Sequence, residues 1–288
     1  MDIFTLAEPV IRRLPLPLGV RAEFLLCHHR LGKFKHPRTF NEKIMHRKLY
    51  DRDPRLAELS DKAQAKEHAR KVLGEGWVIP SIWVGEKLPP RSERNWAFPY
   101  VLKASHGSGR NIFVHSPQDQ NWDKIEAQTE QWLRRDFGHE RREWAYTLIK
   151  PRRLLVESFV GTGGAAPPDY KLFVFGGRTA FVQVDLGRLE SHRQFFYDTN
   201  WKKQTFHYVR PFNAEEVDPP QSLAKMIWAA ERLAADLPFV RVDFYEIAGK
   251  PYLGELTFYP NSGQIAFKPE SVEYELGRLW PDSNSSRS

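Results

Sequence analysis

Two carboxylates near the C-terminus have the spacing to hold a charged ligand. In residues 239–263, Val240, Val242 and Phe244 alternate with Arg241, Asp243 and Tyr245, the two-residue period of a strand. The turn Ala248-Gly249-Lys250 leads into a second alternating run, Tyr252 to Phe258, so the segment predicts a β-hairpin. With those three residues as the loop, Asp243 faces Glu255 and Arg241 faces Thr257. Like charges facing across a ladder are destabilising, and a cation between them removes the cost. Mg²⁺ is commonly held by one or two carboxylates together with substrate phosphates. The pattern reads as half of a metal–phosphate site. With the register one residue off, it reads as two exposed strand carboxylates.

A second candidate lies upstream. Residues 100–103 predict a short strand, 112–115 a returning strand, and 104–111 the loop between them. Small residues there let backbone N–H groups close on a phosphate, and Lys103 supplies charge beside them. The loop lacks the Gly-Lys-Ser/Thr of a Walker A motif. Ile112 stands where a dinucleotide fingerprint has its third glycine. The alternative is a plain glycine-rich hairpin turn.

Caps and periodicity give the elements that carry these groups. Thr39 and Glu42 form a capping box opening a helix through Tyr50. Asp53-Pro54 starts a short helix, and Ser60-Asp61 caps another over 62–73, stopped by Gly74. An amphipathic helix is expected over 19–31, flanked by Arg12, Arg13, Arg21, Arg30, Lys33 and Lys35. It either packs on the core or touches an anionic membrane surface. Residues 77–84 predict a strand interrupted by Pro80, and 85–95 a proline- and charge-rich loop. A helix is expected over 121–137, and strands over 154–160 (with Glu157 inside), 169–175 and 180–184. Gly176-Gly177 joins the last two as a hairpin turn. A polar loop is expected over 185–193. Beyond Pro219-Pro220 comes a helix with one apolar stripe from Leu223 to Leu237, and a last helix covers 272–279.

The whole chain bounds the reading. Its 288 residues can bury a large core, and 41% hydrophobic content describes a globular protein. Lys+Arg 43 against Asp+Glu 36 gives a formal +7, which suits anionic partners without naming one. The single cysteine, Cys27, excludes an internal disulfide and fits a reducing compartment. Cys27-His28-His29 has no second ligand pair for zinc. No run approaches a membrane span, and the prolines at 9, 15 and 17 do not suit a signal peptide. The localisation expected is cytoplasmic, with the inner face of a membrane as a possible station. No helix-turn-helix, RNP or zinc-finger string supports the alternative of a nucleic-acid binder.

In order, Asp61-Lys62, VLKASHGSG ending at 109, VESF from 156, RVD from 241 and ELT from 255 resemble the ATP-grasp ligases. The fuller strings RTFNEKIMHRKLYDRDP, HGSGRNI, PDYKLFVFGG, QVDLGR, FVRVDFY and GELTFYPNSG are similar to one branch, the TupA-like ATP-grasp proteins of teichuronopeptide and polysaccharide biosynthesis. The likeness spans roughly residues 37–280.

That resemblance implies an α+β ATP-grasp fold, in which two α+β subdomains clasp ATP. An N-terminal helical region would cover 1–60, the first subdomain 61–155 and the second 156–281, followed by a flexible tail at 282–288. It implies ATP and Mg²⁺ as cofactors. Lys62 and Lys103 would contact phosphates, and a mobile lid would comprise Ser105, His106, Gly107, Ser108, Gly109 and Asn111. Glu157 would begin the hinge beside adenine, and Asp169 or Lys171 would reach ribose or phosphates. Asp243 and Glu255 would hold Mg²⁺ while Arg241 adds fixed positive charge. Thr257 stands where many relatives have asparagine, and Asn261 is a possible substitute. The implied reaction is ADP-forming carboxylate–amine ligation through an acyl phosphate. The expected partners are a uronic-acid carboxylate of a glycan, free or lipid-linked, and an amino acid or similar amine. Arg188 would orient the acid with its planar fork. Asp185 would receive the ammonium and His192 its proton, with Arg193 beside them. The other enzymatic reading is a sugar-nucleotide-dependent transferase.

Overall fold

The computed structural model describes residues 3–161, 167–187 and 191–281. Its elements in chain order are α1 (Ile3–Arg12), α2 (Leu16–His28), α3 (Phe40–Leu49), α4 (Arg55–Ser60), α5 (Lys62–Leu73), β1 (Ser81–Gly85), β2 (Tyr100–Ala104), β3 (Asn111–Val114), α6 (Trp122–Arg134), α7 (Phe137–Arg141), α8 (Trp144–Thr147), β4 (Leu154–Ser158), β5 (Asp169–Phe175), β6 (Arg178–Leu186), β7 (Arg193–Asp198), α9 (Leu223–Ala234), β8 (Phe239–Ile247), β9 (Lys250–Thr257) and α10 (Glu270–Leu279). Together they make an α+β molecule built on two antiparallel sheets.

The first sheet has the order β1-β4-β2-β3. Tyr100, Leu102 and Ala104 of β2 and Leu154 and Val156 of β4 share a core with Ile125 and Trp132 of α6. Strand side chains alternate between faces. The opposite face therefore carries Lys103 and Glu157, with Val101 paired to Glu157 and Lys103 paired to Leu155.

The second sheet has the order β7-β6-β5-β8-β9. Leu172, Val174, Val240 and Val242 share its core with Met226, Ala230 and Leu233 of α9. Phe40 of α3 packs against Phe239 at 5.1 Å between ring centroids and against Phe267 at 5.7 Å. Gly176 and Gly177, at φ +52° and +76°, make the tight turn between β5 and β6 that the sequence predicts.

The β8–β9 register is the expected one, with Asp243 paired to Glu255 and Arg241 to Thr257, but it arises differently. The turn is two residues, Ala248 and Gly249, both at positive φ, and Ile247 pairs with Lys250. A bulge between Asp243 and Phe244 then restores the offset, because Phe244 pairs with Leu253 and Gly254 is the extra residue. A Cβ at Gly254 would lie 3.0 Å from the Tyr245 ring and 3.3 Å from the Asp243 carbonyl, so glycine suits the bulge.

Several boundaries are corrected. The division at 155/156 falls inside β4, which pairs with β1 and β2, so the first sheet runs on to Ser158. Leu56 and Leu59 of α4, from the expected N-terminal region, and Ala65 and Ala69 of α5, from the expected first subdomain, all join the core of the second sheet. The 77–84 strand begins only after Pro80, which has no N–H to give a ladder. The helix expected through 137 ends at Arg134. β7 starts at Arg193, where the sequence predicts only the close of a polar loop, and continues to Asp198. The helix expected over 19–31 is α2, which starts at Leu16 with Pro15 as its N-cap. The tail 282–288 lies outside the described residues.

Candidate active site

A cavity of about 290 Å³ lies between the two sheets. The first sheet contributes Lys103, Glu157 and the loop residues Ser108 and Gly109, and the second contributes Asp169, Asp243, Gly254 and Glu255. Lys62, the first residue of α5, completes the charged lining, while Val101, Phe113 and Phe159 give it an apolar wall. A second chamber of about 230 Å³ is lined by Arg241, Lys171, Asp185, His192, Thr257, Glu143 and Ser262. Ser108 and Glu255 line both chambers, so the two meet there.

Asp61 sets the position of Lys62. Its carboxylate caps α5 by accepting from the N–H groups of Ala63 and Gln64, and also accepts from the Ser105 hydroxyl at 2.7 Å. Lys62 Nζ donates to the Gly107 carbonyl at 2.7 Å and lies 3.5 Å from Glu255. The helix start, the glycine-rich loop and the hairpin are thus tied through one lysine. Lys103 Nζ donates to Glu157 at 2.7 Å, and Lys66, one turn after Lys62 on α5, pairs with the same carboxylate. Burial would raise the Glu157 carboxyl, but Lys103 and Lys66 outweigh it and hold it below the usual range. β4 is an interior strand of its sheet, so Glu157 is not an edge-strand charge.

At the junction, Arg241 grips Asp243 with two parallel bonds, 2.7 and 2.6 Å, and reaches Thr257 Oγ1 at 3.2 Å. Lys171 donates to Asp169, to Asp243 at 3.1 Å, and lies 3.7 Å from Asp185. Burial alone would lower the Lys171 amine, but the carboxylates of Asp169 and Asp243 outweigh it and raise it. Burial also works to raise the Glu255 carboxyl, yet Lys62, Arg241 and Lys171 hold it down at about 2. Fixed cations thus face both hairpin carboxylates, the arrangement that like charges across a ladder require, although at Asp243 burial outweighs Arg241 and Lys171 and raises the carboxyl.

Among the described residues, no group of three or more His, Cys, Asp or Glu side chains could hold a metal. What the site offers is a pair, Asp243 and Glu255, and one or two carboxylates are what a Mg²⁺ site commonly takes from protein when phosphates and water supply the rest. That donor set fits Mg²⁺. The Thr257 hydroxyl donates to Glu255 at 3.2 Å and accepts from Arg241, so it braces the carboxylate.

Other predicted residues are placed differently. Ser105 and His106 are buried away from both chambers. Ser105 holds Asp61, and a His106 ring nitrogen lies 2.9 Å from the Trp132 carbonyl. Burial lowers the His106 imidazole. Arg110 is buried too and donates to Trp132 O at 3.0 Å, so Ser108, Gly109 and Asn111 are the loop residues that are exposed and line the inter-sheet cavity. Arg193 pairs with Glu215 in an open groove of about 420 Å³ rather than in the inner chamber. His192 links the two spaces: Arg210 Nε donates to its Nδ1 at 3.2 Å, and its Nε2 lies 3.2 Å from Asp185. That geometry places the proton on Nε2 and engages the lone pair a base would use. Asp185 also accepts from Gln183 and Gln194; burial would raise it, but Lys171 and these donors hold it low. Arg188 lies outside the described residues.

Sequence reasoning missed Lys66, although its i+4 spacing from Lys62 could have suggested it. It also missed Glu143. Ser262 donates to Glu143 at 2.7 Å, and buried Lys48 donates to Ser262 at 2.6 Å. Burial raises the Glu143 carboxyl against the pull of Lys48. Ser262 and its neighbour Asn261 both adopt positive φ, a strain common at functional sites. Nothing in the sequence around Glu143 marks it.

A family model described as TupA-like ATP-grasp matches residues 42–280. The chain belongs to the TupA-like ATP-grasp family. Its two sheets with a cavity between them are the ATP-grasp clasp. No curated protein matches the sequence. Among solved structures, the chain is similar to the D-alanine–D-alanine ligase from Bacillus anthracis complexed with ATP (15% identity, TM-score 0.41, covering 70% of this chain and 55% of that one). It is also similar to an L-amino acid ligase from Bacillus licheniformis (12%, 0.45, 90% and 56%) and to the D-alanine–D-alanine ligase from Helicobacter pylori (16%, 0.42, 77% and 61%). This ATP-grasp chain thus spans little more than half the length of the solved structures it resembles.

Proposed function

We propose that the chain is an ATP-dependent carboxylate–amine ligase that releases ADP and phosphate. We further propose that its acid is a uronic-acid carboxylate of a glycan and its amine an amino acid or similar compound. The observation that carries the ligase reading is the pair of chambers meeting at Ser108 and Glu255. A nucleotide in the inter-sheet cavity would point its phosphates at that junction. Lys62 and Lys103 are set to balance their charge, and Glu157 and Asp169 lie along the same cavity. Asp243 and Glu255 would hold Mg²⁺, which supplies neutralisation of the transferring phosphoryl group.

In the second chamber Arg241 and Lys171 present cations to an incoming acid, and Asp185 and Glu143 present carboxylates to an ammonium. The acid's oxygen attacks the γ-phosphorus, ADP leaves, and an acyl phosphate forms. The amine then attacks the carbonyl carbon, phosphate departs, and the amine's proton passes to a carboxylate of the chamber or to water. Arg241 is aimed where negative charge develops, which is how preorganised groups lower a barrier. The glycan reading rests on the polysaccharide branch that the strings resemble. The open groove beside His192 and Gln194 has room for an acceptor larger than its reacting carboxylate. Contact with nucleic acid is not part of the proposal.

The test is product mass and nucleotide analysis after incubation with ATP, Mg²⁺, uronic-acid glycans and amino acids. An amide product with equimolar ADP is expected. AMP and pyrophosphate, or transfer of a sugar from a sugar nucleotide, would overturn the reading.

A further inference from the structure

We propose that α2 and the segment after it form a docking surface for an anionic phospholipid membrane. On the 3.6-residue period, Leu18, Arg21, Ala22 and Leu25 fall on one face of α2. The other face buries Gly19, Val20, Glu23 and Phe24. The outward face is apolar where a solvated helix would be polar: Leu18 is 54% exposed and Leu25 43%. Leu31, just beyond the helix, is 80% exposed, and Val10 of α1 is 64% exposed. Large apolar side chains exposed on one helix face, with more in the chain on either side of it, suit a contact surface.

The surrounding charge selects the partner. Residues 1–38 hold seven Lys and Arg against three Asp and Glu, a net +4 out of the chain's +7. Arg12, Arg13, Arg21, Lys33 and Lys35 are all exposed. Arg13, Lys33 and Lys35 form no ion pair among the described residues, so their charge is available to a partner. Exposed leucines and unpaired basic residues within one short stretch of chain match an interface with an apolar interior and an anionic surface. No described helix is long and apolar enough to cross a membrane, so the contact is peripheral.

The same helix is wired to the second chamber. Glu23, on its buried face, pairs with Arg142 at 2.5 Å, next to the chamber residues Arg141 and Glu143. A ring nitrogen of His28 lies 2.8 Å from the Gly263 carbonyl, directly after Ser262. Docking α2 on a membrane would hold the wall of the acceptor chamber against that membrane.

The test is co-sedimentation of the full chain with vesicles of phosphatidylcholine alone and with added phosphatidylglycerol, at two salt concentrations. Binding to the anionic vesicles only, weakened by salt, is expected. L18D with L25D should abolish it, and K33E with K35E should weaken it about fivefold per charge. These side chains are exposed, so thermal unfolding of the variants should match the parent. The proposal is overturned if the parent ignores anionic vesicles, or if the leucine variants bind as before. It is also overturned if sedimentation velocity shows these leucines joining two copies of the chain, with vesicle binding absent.

Discussion

Asp243→Asn separates what the junction does for the fold from what it does for a nucleotide. In the structure Asp243 accepts two bonds from Arg241 and one from Lys171 and is buried. Breaking a buried ion pair ordinarily costs about 3–5 kcal/mol, because a charge is left without a partner. Here the cations keep partners. Arg241 retains Glu255 at 3.5 Å and Thr257 at 3.2 Å, and Lys171 retains Asp169 and Asp185. The asparagine carbonyl can still accept one bond. The loss of stability should therefore be only about 1–2 kcal/mol, in the range of a weakened charged hydrogen bond. Metal-dependent binding should suffer far more, since one of two candidate carboxylate ligands is gone. A ligand at about 100 times its dissociation constant adds about 2.7 kcal/mol. For a chain of this length that is a rise of roughly 4–5 °C in Tm. Thermal shifts with ATP should be larger with Mg²⁺ than with EDTA in the parent, and equal in Asp243→Asn. A variant that keeps the parent's Mg²⁺-dependent shift would refute the assignment of Asp243 to the metal.

Two further outcomes come from the same charge map. Glu157→Gln leaves buried Lys66 facing Lys103 without the carboxylate between them, and should lower stability by about 3 kcal/mol in urea unfolding; a midpoint equal to the parent's would remove the account of Glu157 as their shared counter-ion. Glu255 sits at about 2, below its ordinary 4.5, so its stabilisation is present above about pH 5 and lost as pH falls towards 2. Its side chain is 31% exposed, so solvent screening reduces that contribution to about 1–2 kcal/mol. Glu255→Gln should flatten the acid limb of the stability profile by that amount, and an unchanged limb would mean that Glu255 gains nothing from Lys62 and Arg241.

The parts legible in the sequence are those that local chemistry encodes. The Thr39–Glu42 capping box forms with both of its bonds, and Asp61 caps α5 as its type predicts. The alternation of β8 and β9 gives the hairpin and puts Arg241, Asp243 and Glu255 where the two chambers meet. Register is the weaker step. A three-residue loop and a two-residue loop with a bulge pair the same carboxylates, and only the Gly254 backbone distinguishes them. A bulge depends on the fit of one strand against another, which composition does not report.

The acceptor side is harder to read because its residues are not neighbours in any element. Glu143 comes from the segment before α8, Ser262 from the turn after β9, His192 from the end of a loop and Arg210 from irregular chain. Their meeting is a product of packing at long range, so no spacing announces it. His192 shows the consequence. By type alone it is a proton acceptor at neutral pH, yet Arg210 engages Nδ1 and Asp185 faces Nε2. Proton acceptance at Nδ1 would require Arg210 to move, and Arg210 is exposed in the open groove. As the side chains stand, neither ring nitrogen is open to a substrate, so the residue that type singles out is the one that long-range packing engages.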